Sequence, residues 1–184
     1  MRKIFLIRHG ETEWSKSGQH TSYTDLCLTE NGRKEVLKLK NSLPDFSKIF
    51  ISPLLRARQT AELLELKGVV KKELVEWNYG IYEGKTTKEI QIQQPGWNIF
   101  THGALFGETI NELEVRIKKI ISHLSSLDGN IGIISSGHFI RALISLYLDQ
   151  PCSFGQNLLI STASISILTE DRGVKVLQSL NLKS

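Results

Sequence analysis

The chain has 184 residues, of which 40% are hydrophobic and 23% charged, with a formal net charge of +4. These proportions allow one good core and exclude a disordered or fibrous chain. The positive charge is mild and scattered, with its densest cluster at Lys71-Lys72, which argues against a nucleic-acid face and suits a small anionic substrate. No apolar run reaches the ~20 residues needed to cross a membrane. The basic start "MRKIFLIRHG" holds an apolar run only from Ile4 to Ile7, shorter than a signal peptide requires, so a cytoplasmic protein is expected. Cys27 and Cys152 are too few for a disulfide framework and lack metal-ligand spacing. Both are expected to be reduced and mostly buried thiols.

The first strand-like run, Ile4–Ile7, leads straight into Arg8-His9-Gly10. Val36, Leu39 and Leu43 then keep helical spacing, with Leu37 widening the stripe. A second strand-like run, Ile49–Ile51, precedes Ser52-Pro53. That pair predicts a helix with serine at the N-cap and proline in the first turn, its core stripe carried by Ala57, Ala61 and Leu64. Gln91 to Phe106, broken by Pro95, Gly96 and Gly103, reads as an irregular excursion over one end of the sheet. Thr109 and Glu112 form a capping box, followed by the amphipathic series Ile110, Leu113, Ile117, Ile120 and Leu124. Ile131–Ile134 is the third strand-like run, and a helix follows His138 through Leu143, Leu146 and Tyr147. Ile165 and Ile167, then "EDRG", then Val174 and Val176 predict a hairpin. No repeat or linker interrupts residues 1–184, so a single domain is expected. Apolar strands alternating with helices predict an α/β three-layer sandwich, with a mostly parallel central sheet and an antiparallel edge strand.

In open α/β sheets ligands bind beyond the carboxyl ends of the strands. Here those ends carry Arg8-His9, then Ser52 ahead of Arg56, and then Ser135-Ser136-Gly137-His138. Two histidines and two arginines thus reach one rim, a set suited to holding an anion. Arg56 falls in the first turn of its helix, where free N–H groups and the dipole already favour negative charge. The glycine beside each histidine reads as space for a substrate to approach the backbone. His20, His102 and His123 have weaker contexts, and His123 is expected on a helix surface.

The segments "LIRHGETEW", "TDLCLTENG", "ISPLLRARQTAELL", "LVEWNYGIYEG", "GETINELEVRI" and "ISSGHFIRAL" together resemble the histidine phosphatase superfamily, the phosphoglycerate mutase-like enzymes, over nearly the whole chain. The resemblance implies the corresponding fold. It makes His9 the phosphorylated nucleophile, Arg8 and Arg56 the ligands of the transferring phosphoryl group, and His138 a donor to a phosphoryl oxygen. Glu76 matches the family's proton donor, with Glu83 as the rival carboxylate. "WSKSGQHTSYTDLCLTENG" and "EWNYGIYEG" are similar to the branch containing sedoheptulose bisphosphatase, in which Ser15, Gln19, Thr21 and Tyr79 would line the substrate pocket. The implied activity is metal-independent and cofactor-free hydrolysis of a small phosphorylated metabolite, a sugar phosphate or bisphosphate. Phosphoglycerate mutase-type transfer and phosphoprotein dephosphorylation are the alternatives. The stretch from Lys85 to Thr109 is short and carries Lys85 and Lys88 but no arginine, which favours hydrolysis over transfer.

Overall fold

The computed structural model describes residues 2–183. In chain order the main elements are β1 (Lys3–Arg8), α1 (Glu13–Ser17), α2 (Glu30–Lys38), β2 (Lys48–Ile51), α3 (Leu55–Leu63), β3 (Val69–Val70), α4 (Thr87–Gln93), α5 (Ile99–His102), α6 (Ile110–Ser125), β4 (Asn130–Ser135), α7 (Gly137–Tyr147), β5 (Ser164–Asp171) and β6 (Val174–Leu182). The six strands form one sheet in the order β3-β2-β4-β1-β5-β6. The first four are parallel, β5 runs antiparallel to β1, and β6 antiparallel to β5. The antiparallel edge is the hairpin expected from Ile165, Ile167, Val174 and Val176. Its turn has positive φ at both Arg172 (51°) and Gly173 (80°), the conformation of a type I′ connection whose twist matches the strands.

Alternation along β1 splits the apolar residues between two cores. Ile4 and Leu6 pack with Ile131, Ile133 and residues of α6 and α7. Phe5 and Ile7 face Val36 of α2 and Ala57 and Ala61 of α3. Helices thus cover both faces, and the central strands are buried on both sides, as their unbroken apolar runs require. Among the described residues no helix is long and apolar enough to cross a membrane.

The structure departs from expectation in a few places, each with a local cause. Ser52 does not cap α3: its N–H still belongs to the sheet, donating to Ile134 O (3.0 Å), and the helix begins only at Leu55. The cap moves to Leu54, and Asp25 Oδ1 accepts the Leu55 N–H from a distant loop (2.6 Å). Leu37 is exposed and α2 stops at Lys38, so Leu43 lies beyond it. The excursion is more ordered than its glycines suggested. A second capping box, Thr86 with Glu89, starts α4, and Asn98 caps α5. Trp97 and Phe100 are each 1% exposed, so the segment is anchored in the core. Cys27 is exposed, unlike Cys152.

The capping box predicted for α6 is present: Thr109 Oγ1 accepts the Glu112 N–H (3.2 Å) and Glu112 Oε2 accepts the Thr109 N–H (2.8 Å). Thr109→Ala should cost about 1 kcal/mol and lower the melting temperature by roughly 2–4 °C. Thermal denaturation checks this, and an unchanged midpoint would mean the cap carries no stability.

Candidate active site

Strand register builds the rim. Ile7 and Ile51 both lie opposite Ile134, so β1, β2 and β4 end at one level. The His9 N–H extends the ladder by donating to Ser135 O (3.0 Å). His9, Ser52 and Ser136 emerge together at the carboxyl edge.

His9 is 4% exposed. Its Nδ1 lies 2.8 Å from the Gly10 carbonyl oxygen. A carbonyl can only accept, so Nδ1 carries the hydrogen and Nε2 keeps a free lone pair. Burial, reinforced by the charges of Arg56 and Arg8, holds its pKa well below the usual imidazole value, leaving a neutral ring at pH 7.

Two guanidinium groups flank this imidazole. Arg8 donates through Nη1 to the Ile160 carbonyl. Arg56 is 1% exposed and donates to the carbonyls of Thr24 (3.1 Å), Thr21 (3.1 Å) and Ser22 (2.9 Å). Burial lowers the pKa of both, opposed by the nearby Glu76 charge. Among the described residues five buried side-chain polar atoms lack a hydrogen-bond partner; four belong to Arg8, Ser52, Arg56 and Ser136. An unpartnered buried polar atom costs about 1–3 kcal/mol. Their concentration at one rim marks a place organised to hydrogen-bond something else.

The glycines have a different purpose from the one expected. A Cβ on Gly10 would meet Val36 Cγ2 at 2.7 Å and Gly32 O at 2.8 Å, so Gly10 lets the end of β1 pack on α2. A Cβ on Gly137 would lie 3.1 Å from Arg8 Cζ, so Gly137 makes room for the guanidinium at the start of α7.

Glu76 sits across from the arginines. Its carboxylate accepts N–H bonds from Trp77 (2.9 Å), His138 (3.0 Å) and Phe139 (2.7 Å), the last two from the first turn of α7. His138 bonds through Nδ1 to the Tyr79 hydroxyl. Burial, then Arg141, His20 and Arg8, push its pKa well below the usual value. Burial, then Glu76, pushes Tyr79 well above its own. With Tyr79 as the donor, His138 carries its hydrogen on Nε2.

These groups surround a cavity of about 210 Å³. Eight of the nine residues expected at the site line it, including Ser15, Gln19, Thr21 and Tyr79. The ninth, Arg56, is buried beside His9 and acts on it through charge. Ser15 also closes the cap of α1 with Thr12, and Gln19 Nε2 donates to Gly84 O (2.8 Å). Glu83 is not in the wall; its carboxylate accepts bonds from Ser22 and Thr24 instead.

Among the lining residues that the sequence reading did not assign to the site are His20 and Arg141. His20 is 8% exposed, its ring 4.8 Å from Tyr79 and 5.6 Å from His138, and burial lowers its pKa to about 4. Its neighbours are distant in sequence, so no local pattern marks it. Arg141 stands one helical turn after His138 on the same face of α7, and that i, i+3 spacing was a usable signal. Its guanidinium rests over the Phe100 ring (4.6 Å) and donates to Gly155 O (2.7 Å) and Gln156 O (3.1 Å). Among the described residues no three His, Cys, Asp or Glu side chains are grouped to hold a metal ion.

A family model described as the histidine phosphatase superfamily (branch 1) matches residues 4–183. The chain is 35% identical to an acid phosphatase of Mycobacterium tuberculosis over 98% of this chain and 92% of that protein. It is 34% identical to sedoheptulose 1,7-bisphosphatase of Saccharomyces cerevisiae over 79% of this chain and 67% of the relative. A solved open-reading-frame product of M. tuberculosis superposes with a TM-score of 0.94 at 34% identity, covering 99% of this chain and 98% of that one.

His9, His20 and His138 all hold folded-state values below 6.5, so below pH 6.5 the unfolded chain binds more protons. Their stabilisation is complete above pH 6.5 and lost as pH falls, for His20 down to about pH 4, at no more than about 1.4 kcal/mol per pH unit per histidine. Calorimetry between pH 7 and pH 4 measures this slope; a flat profile would mean the imidazoles are not held neutral. Gly137→Ala should displace Arg8 and lower kcat/KM about tenfold while leaving the fold intact. Steady-state kinetics beside circular dichroism would show it.

Proposed function

The chain belongs to the histidine phosphatase superfamily, branch 1, and on that premise we propose that it hydrolyses a small sugar phosphate or bisphosphate through a phosphohistidine on His9. That it is a hydrolase of phosphate monoesters follows from its family and its phosphatase relatives. The observation that carries the finer reading is the neutral His9, with Nε2 free, set beside two guanidinium groups that retain unpartnered N–H donors.

Phosphoryl transfer is mostly positioning and charge stabilisation. Arg8 and Arg56 hold the non-bridging oxygens, joined by the Nε2–H of His138. The Nε2 lone pair of His9 attacks phosphorus, and the P–O ester bond breaks. Glu76 takes up a proton as the incoming phosphoryl charge offsets the arginines, and gives it to the leaving oxygen. The new phosphoimidazole keeps its Nδ1–H on the Gly10 carbonyl. Water then attacks phosphorus, gives its proton to Glu76 and breaks the P–N bond, which releases phosphate and restores His9 and the acid. Arginines and histidine supply the charge stabilisation here, so no metal is assigned a step.

The substrate is small because the cavity is, at about 210 Å³. Ser15, Gln19 and Thr21 offer hydroxyl and amide groups to a hydroxyl-rich ligand. Arg141 supplies a further cation in the cavity wall, which supports a second anionic group on the substrate. The relative named for a sugar bisphosphate agrees with this.

A screen of phosphorylated metabolites for phosphate release is the direct test, with sugar bisphosphates expected to lead. His9→Ala should lower kcat by at least about 10³-fold, and an equal rate would remove His9 as nucleophile. Chelation should leave turnover unchanged, whereas loss restored by added metal would overturn the metal-free scheme. Fast phosphoglycerate isomerisation with little phosphate release would replace hydrolysis by transfer, and phosphopeptides outpacing sugar phosphates would replace the small substrate.

A further inference from the structure

The carboxylate of Glu83 lies outside the cavity wall, yet it is fully engaged. Oε1 and Oε2 each accept the Ser22 N–H (2.9 Å), Oε1 also accepts the Thr24 N–H (3.1 Å), and the Ser22 hydroxyl donates to Oε2. The carbonyls of the same short segment, at Thr21, Ser22 and Thr24, accept the Arg56 guanidinium. The segment is thus clamped between an anion on its N–H groups and a cation on its C=O groups. The peptide units between them polarise each other, which strengthens both sets of bonds. Among the described residues no direct ion pair joins Glu83 to Arg56; the hydrogen-bonded link runs through the peptide units, and the Glu83 charge adds a through-space attraction for the guanidinium. Downstream, two bonds latch the continuing loop to α3: Asp25 Oδ1 accepts the Leu55 N–H (2.6 Å), and Gln59 Oε1 accepts the Leu28 N–H (2.8 Å).

We propose that Glu83 is a positioning residue for phosphoryl transfer: by fixing Thr21 to Thr24 it fixes the main-chain oxygens that aim the Arg56 guanidinium beside His9. The proposal rests on the reading of Arg56 as a phosphoryl ligand. Without the carboxylate, Ser22 and Thr24 lose their N–H acceptors and the carbonyl cradle loosens. Arg56 then keeps its charge and loses its aim, and misplacement of this kind is costly to a transition state.

The test is a double-mutant cycle with 4-nitrophenyl phosphate, whose good leaving group keeps impaired variants measurable. Glu83→Gln preserves shape but presents an amide NH₂ where an oxygen accepted an N–H. It should lower kcat/KM about tenfold and weaken vanadate inhibition in parallel. In an Arg56→Ala background the same change should move kcat/KM by less than about twofold, because residues acting as one unit are non-additive. A tenfold loss in both backgrounds would overturn the proposal, since Glu83 would then act through the fold at large. No loss in the folded single variant would overturn it too. Should Glu83→Gln fail to fold by circular dichroism, Ser22→Ala takes its place in the cycle, with a smaller expected loss of about threefold and the same criterion. If Arg56→Ala alone kept full kcat/KM, the phosphoryl-ligand reading itself would fall; impairment by Arg56→Ala with additive Glu83 effects would sink only the positioning role.

Discussion

Two guanidinium groups packed beside one neutral imidazole form the constraint around which this molecule is arranged. Arg8 and Arg56 are close enough for each to act on His9, and Arg56 also acts on Arg8. Buried charge costs several kcal/mol per ion unless partners surround it. The partners here come from every side: the carbonyls of Thr21, Ser22, Thr24 and Ile160, and the Glu76 carboxylate. The compensation is incomplete, because both Nε groups remain unpartnered. On the proposed reading an incoming phosphoryl group would complete it, and part of the binding strength would be charge separation already assembled during folding.

Glu76 ties that pair to the other half of the rim. It is held by the first-turn N–H groups of α7, where the helix dipole favours an anion. The same contact fixes the backbone of His138, while Tyr79 holds its ring. One carboxylate thereby offsets two cations, seats a helix and presents an oxygen to the pocket. Gly137 fits the same logic, since a side chain there would press on Arg8.

What could be read in the sequence was what depends on neighbours along the chain. Unbroken apolar runs marked β1, β2 and β4, period-3.6 stripes marked α6 and α7, period-two alternation marked the hairpin, and the rule about strand ends brought His9, Arg56 and His138 to one edge. What could not be read depends on meetings across space. Asp25, far from α3 in sequence, caps it, so the local Ser52-Pro53 signal gave the wrong start. The Thr86–Glu89 box was a local signal that the reading, whose excursion began at Gln91, did not use. His20 enters the pocket because Gly18 turns the chain (φ 80°) and Lys85 O accepts the His20 N–H. Gly10 and Gly137 were recognisable as tight positions, but only coordinates show whether a ligand, a helix or a guanidinium fills the space.

Arg56 grips main-chain oxygens rather than side chains in the segment from Thr21 to Thr24. The hydroxyl groups of Thr21 and Thr24 take no part in that grip, and Thr21 lines the cavity. A side chain at this edge can therefore be exchanged while the guanidinium keeps its seat, because the cavity wall and the grip on Arg56 are made by different atoms of the same residues.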